Sequence, residues 1–121
     1  MTYYENLIVW KKSMELVGEV YRVTKLYPRE ELYALTAQSR QAVVSIPANI
    51  AEGCGRNYKK DSIQFFHVVR GSMYELETLL KIALLIEIIP KEEVQKIILL
   101  LHECLKILNG FITYFEQGLL K

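Results

Sequence analysis

The chain has 121 residues, a mass of 14.1 kDa and a formal net charge of +1, enough for one domain with a single core. Its longest apolar runs, residues 82–86 and 97–101, fall far short of the ~20 residues of a membrane span, and no basic region followed by an apolar one opens the chain as a secretory signal would. An apolar share of 51% and a mean hydropathy of +0.12 are high for a small soluble monomer, so either the core is generous or apolar surface is buried against other copies.

Residues 4–25 read as the first helix. Leu7, Trp10, Met14, Val17, Tyr21 and Thr24 recur at alternating three- and four-residue spacing as an apolar stripe, with Lys11, Lys12, Glu15, Glu19 and Arg22 largely off it. Trp10 reads as core. Pro28 marks the connection, and Glu30 and Glu31 suit the positive end of a second helix over 30–52. Leu32, Leu35, Ala42 or Val43, Ile46 and Ile50 form its buried side. Its many small residues, among them Ala34, Ala37, Ser39, Ser45 and Ala48, call for a closely packed neighbour. Pro47 has no N–H to give the carbonyl of Val43, a defect of about 3 kcal/mol in a helix interior, so a kink is predicted there. Gly53 and Gly55 then read as the left-handed end of the helix.

The third helix starts near Asn57 or Asp61, both suitable caps, and reaches about Glu87. Phe66, Val69, Met73, Leu76, Leu80 and Ala83 make its stripe. Gly71 in its interior costs up to about 1 kcal/mol against alanine, and with Ser72 it reads as a point where two backbones approach. Pro90, Glu92 and Glu93 open the fourth helix. Val94, Ile98, Leu101, Leu105, Leu108, Ile112, Phe115 and Leu119 make one heptad seam, and Ile97, Leu100, Cys104, Ile107, Phe111 and Tyr114 a second beside it. One seam suffices for a core, so the second is predicted to face another subunit. Four helices with short connections predict an all-α, up-down-up-down, left-handed antiparallel four-helix bundle, with a proline-kinked second helix and a single domain over 1–121.

No chemistry stands out. A di-iron bundle needs Glu three residues before each His, and Gln64 and Leu99 precede His67 and His102 instead. His102 and Cys104 point about 200° apart on a helix, unsuited to one metal. Cys54 lies near Arg56 but adjoins no histidine, and an incidental loop thiol is the plainer reading. There is no phosphate-binding glycine loop, nucleophile elbow or dinucleotide fingerprint. No enzyme, metal or cofactor is therefore expected, and two cysteines without an export signal fit reduced thiols in the cytoplasm.

Two polar groupings remain. Arg40, Asn49, Glu52 and Arg56 from the second helix and its end, with Arg70, Ser72, Glu75 and Glu77 on the third, read as a network tying those helices together and serving the carbonyl freed by Pro47, with Asn49, Glu52, Arg70, Ser72 and Glu75 at its centre, or as a pocket or nucleic-acid contact. The basic residues Lys11, Lys12, Arg22, Lys25, Arg40, Arg56, Lys59, Lys60 and Arg70 are the candidates for nucleic-acid contact. Of these Lys11, Lys12, Arg40, Arg56, Lys59 and Lys60, with Tyr58 for stacking, form the narrower set.

Ser45-Ile-Pro-Ala-Asn-Ile-Ala-Glu-Gly53 closely resembles the signature of the four-helix-bundle proteins encoded in bacterial 23S ribosomal RNA intervening sequences. Leu7-Ile-Val-Trp10-Lys resembles the opening of that family, Tyr27–Gln38 its first turn and second helix, and Phe65-Phe66 with Arg70–Thr78 its third. The resemblance covers nearly the whole chain and implies a homopentamer without a settled biochemical role. Related accessory proteins of diversity-generating retroelements are basic pentamers associated with nucleic acid. This chain departs from them in being nearly neutral and in carrying Gln41 where a second arginine often follows Arg40. Two readings stay open. One is a non-enzymatic oligomeric scaffold binding RNA, DNA or a nucleic-acid-processing protein through its basic surface. The other is a purely structural or protein-interaction module, and neither calls for a membrane.

Overall fold

The computed structural model describes residues 3–118. After a 3-10 turn at Tyr3–Asn6, four long helices follow: α1 (Ile8–Thr24), α2 (Ala37–Cys54), α3 (Lys59–Leu85) and α4 (Lys91–Glu116). Between α1 and α2 the chain makes a 3-10 turn at Arg29–Glu31 and a wide π-helical turn at Leu32–Thr36. No strand occurs among the described residues, and the helices pack as an all-α bundle.

Cross-helix pairs fix the directions of the neighbours. Lys12 meets Glu103, Lys96 meets Glu19 and Arg22 meets Glu93, so α1 and α4 run antiparallel. Ser45 bonds Ser72 across α2 and α3, and Gly53 lies against Phe66, which makes that pair antiparallel too. Arg70 with Asn109, and Glu77 with His102, do the same for α3 and α4.

The core is one column of side chains. Leu16, Val20, Ile46, Ile50, Phe66, Met73, Leu76, Leu80, Ile97, Leu101, Leu108 and Phe115 are almost wholly buried, each such burial stabilising the fold by about 1.5–3 kcal/mol. At one end Phe66 meets Phe111 and Phe115 edge to face, at centroid distances of 5.0 and 5.1 Å, a favoured geometry for ring quadrupoles. The stripe read for the third helix is buried throughout.

Three expectations are corrected. First, the buried face of α1 is Val9, Ser13, Leu16, Val20, Val23 and Thr24. Of the predicted stripe only Thr24 lies on it, and the rest lies beside it: Met14 is 45% exposed, and Leu7, Trp10, Val17 and Tyr21 are half-buried. Both sets have helical spacing, and only the neighbours decide between them. Second, the helix read over 30–52 does not begin as one helix: its first residues form the 3-10 and π-helical turns, with non-helical dihedral angles at Ala34 (φ −121°, ψ −105°), and α2 proper spans Ala37–Cys54 with Pro47 inside it. Around the missing N–H, Ser45 Oγ donates to the Ala42 carbonyl (2.7 Å) and Asn49 Nδ2 to the Ser45 carbonyl (2.8 Å). Third, no left-handed glycine ends α2. Gly55 caps it with φ −87°, and Gly53 is buried within it. The left-handed cap appears at the end of α3 on a residue that is not glycine: Glu87 has φ 63°. There Glu87 N–H donates to the Leu84 carbonyl and Ile88 N–H to that of Ala83, the paired bonds of a Schellman ending.

Candidate interaction surfaces

The apolar face of α4 divides differently from either predicted seam. Val94, Ile97, Leu101, Cys104, Leu108, Phe111, Ile112 and Phe115 are buried in the bundle. Ile97, Cys104 and Phe111, assigned from the sequence to another subunit, therefore belong to this subunit's own core, at 0%, 0% and 8% exposure. Burial pushes the Cys104 thiol up to about 11. The two seams lie about one residue apart on one wide apolar face, so spacing alone could not separate them. Leu119 lies outside the described residues.

The other three interface candidates stay near the surface. Leu100 and Ile107 are half-buried and Tyr114 is 50% exposed. Ile107, Tyr114 and Gly110 line a cleft of about 380 Å³ with Leu7 and Ile8 of the α1 start, and Ile8 is 64% exposed. Leu100 lies further along the same groove, beside Gly18, Glu15, Glu19 and Lys96. The α1–α4 groove thus carries an apolar strip between charged pairs. Burying the apolar part of such a strip is favourable in proportion to its area. By length and composition alone α4 is also long and apolar enough to cross a membrane. In the bundle its buried seam packs on α1 and α3, while Glu93, Lys96, His102 and Glu103 pair with residues of the same two helices.

The candidate basic residues separate into two ends. Arg56, Tyr58, Lys59 and Lys60 lie at the α2–α3 turn, all exposed. Two of these cations are engaged within the subunit. Arg56 pairs with Glu52 at 3.4 Å and stacks 4.5 Å from the centroid of Phe65, and Lys59 Nζ donates to the Glu116 carbonyl. Lys11 is exposed near the same end, whereas Lys12 is held between Glu103 and Glu15, and the hydrogen bond it donates to Glu103 raises its pKa. Arg40 stands at the other end of α2, where its Nε donates to Thr24 Oγ1 (3.0 Å) and its guanidinium covers the Tyr21 ring. The seven do not form one patch.

The predicted polar network is also redrawn. Ser72 bonds Ser45, which joins α3 to α2, while Asn49 serves the Ser45 carbonyl within α2. Arg70 turns to α4 instead, with Nε and Nη2 both donating to Asn109 Oδ1 (3.0 and 2.7 Å). Glu52 bonds its own helix neighbour, and Glu75 is exposed. Glu77 of α3, read with that network, turns instead to His102 (2.8 Å) of α4 and to Lys81 (3.4 Å); the His102 bond holds the Glu77 carboxyl below its usual range. Among the described residues no three His, Cys, Asp or Glu side chains converge on a metal-sized site.

The family model described as 23S rRNA-intervening sequence protein matches residues 5–110. Among solved structures, a protein of unknown function from the S23 ribosomal protein family of Bacteroides thetaiotaomicron superposes with a TM-score of 0.80. That match covers 87% of this chain and 98% of the other at 24% identity, a likeness of fold. No curated protein matches.

Proposed function

This chain belongs to the 23S rRNA-intervening sequence protein family, and on that premise we propose that it is a non-enzymatic homo-oligomeric scaffold whose copies meet along the α1–α4 groove. The observation that carries this is the strip of Ile8, Leu100, Ile107 and Tyr114, apolar and only partly covered by its own subunit. A ring of five is the assembly that the family resemblance implies. In a closed ring the α2–α3 turn, with Tyr58 at 71% exposure and Lys60 beside it, repeats once per subunit. A weak contact to RNA, DNA or a protein that processes them becomes multivalent there.

Light scattering of the purified chain at micromolar concentration tests the assembly. A particle several times 14.1 kDa is expected, reduced in size by Ile107→Glu with Tyr114→Glu. A wild-type particle of subunit mass overturns the scaffold. Salt-dependent binding to structured RNA, weakened by Tyr58→Ala and Lys60→Ala, supports the contact. The internal engagement of Arg56 and Lys59 favours the second reading, a protein-interaction module without nucleic acid. Absence of any RNA or DNA shift at low ionic strength decides for it.

A further inference from the structure

At the corner where α1 hands over to α2, a cleft of about 350 Å³ is lined by Thr24, Lys25, Tyr27, Arg29, Thr36 and Arg40, among others. Three of these side chains are cationic, and no carboxylate lines the cleft. The nearest acids in sequence are committed or turned out: Glu31 accepts from the Leu35 N–H, and Glu30 is exposed. The ion pairs of the described residues include none for Lys25, Arg29 or Arg40.

Arg40 differs from an ordinary solvated cation. Its Nε is tied to Thr24 Oγ1, which in turn donates to the Val20 carbonyl (2.7 Å), and its Cζ stands 4.6 Å from the Tyr21 ring centroid. The guanidinium plane is therefore held in place while its two Nη groups have no protein acceptor among the described residues. Half-buried donors of this type are normally matched. Two further donors stand beside it. The Tyr27 hydroxyl is buried without a hydrogen-bond partner, on a residue only 7% exposed, and Thr36 sits at the start of α2, where the helix dipole is positive.

We propose that this cleft binds a small phosphate monoester, with Arg40 gripping the phosphate through both Nη groups while Lys25 and Arg29 neutralise its second charge. A guanidinium fork matches two phosphate oxygens at once, and a dianion balances a cleft that carries three cations and no acid. The volume lies within the about 300–1,000 Å³ of small-molecule sites, which admits a ligand of mononucleotide size. The site lies at the opposite end of α2 from the α2–α3 turn and does not depend on the assembly proposed above.

Calorimetric titration of the full chain at low ionic strength with inorganic phosphate, AMP and adenosine tests the assignment. Phosphate and AMP are expected to bind in the millimolar range or tighter, and adenosine not at all. Arg40→Gln is expected to weaken AMP by about tenfold, the loss of one charge-assisted bidentate pair. Lys25→Gln with Arg29→Gln, both on exposed side chains and so safe for folding, is expected to weaken it severalfold, whereas Lys60→Gln leaves it unchanged. No titration with phosphate or AMP, or equal affinity in the Lys25/Arg29 double variant, overturns the site. An RNA oligonucleotide that binds while AMP does not also overturns it, by assigning the cations to a nucleic-acid backbone.

Discussion

Gly53 of α2 faces Phe66 of α3 so closely that a Cβ at position 53 would stand 2.5 Å from Phe66 Cε1 and 3.1 Å from Phe65 Cβ. No real Cβ keeps such a distance from a ring locked in the core, so α2 and α3 meet at a glycine because nothing larger fits. Gly71, in the facing helix, has nothing within 4 Å of its own Cβ position. The close approach read from the sequence at Gly71 lies at Gly53 instead.

Gly53→Ala should therefore cost about 1–3 kcal/mol through overpacking, read as a lower urea midpoint. Gly71→Ala should instead stabilise by up to about 1 kcal/mol, since alanine is the better helix former in open space. Equal effects of the two substitutions would contradict the geometry.

Glu87 holds the left-handed cap of α3, a conformation that costs an L-residue about 1–2 kcal/mol. Glycine pays no such steric cost but loses more chain entropy on folding. Glu87→Gly should raise the denaturation midpoint by a net of up to about 1 kcal/mol, whereas Glu87→Val should lower it.

Cys104 is fully buried, with its thiol pushed up to about 11. It should resist an aromatic disulfide reagent in the native protein and react only in denaturant, because a buried thiol supplies little thiolate. Following that reaction in Cys54→Ser isolates the Cys104 signal. Cys104→Ser should cost about 1–3 kcal/mol by burying a hydroxyl in an apolar site.

The folded pKa values of Glu77, Glu19 and Glu93 are lowered by His102 in the first case and by Arg22 in the other two. A depressed carboxylate contributes stability that is complete above its unfolded value, near 4.5, and is lost as pH falls through the folded one. Urea midpoints should therefore be flat through neutral pH and decline below about pH 4.5. Glu77→Gln should shallow that decline and cost at most about 1 kcal/mol at neutral pH.

The helices were legible because apolar spacing and helix-end chemistry are local. The α3 stripe from Phe66 to Ala83 is buried as read, since polar residues separate its members clearly. On α4 apolar residues fill both candidate seams, so the contrast that marks a face was missing and Ile97, Cys104 and Phe111 were sent outward. On α1 the stripe through Trp10 and Tyr21 has the right period and lies on the flank of the buried face, where Tyr21 and Thr24 meet Arg40. The cations were legible singly, but their partners were not. That Lys12 finds Glu103 and Arg70 finds Asn109 depends on the register of helices far apart in the chain. Arg29 and Thr36 entered no grouping in the sequence, because the corner that joins them to Arg40 exists only once the turn at Ala34 is made.

Because α1 and α4 lie side by side in opposite directions, the beginning of one and the end of the other border a single cleft, through Ile8 and Tyr114. A short flexible tether could join the two ends there, and the chain could be reopened at the exposed Arg56-Asn57 turn. Such a circularly permuted protein would begin with α3, finish with α2 and keep all four packed interfaces, since native surface turns tolerate new termini when no buried backbone is disturbed.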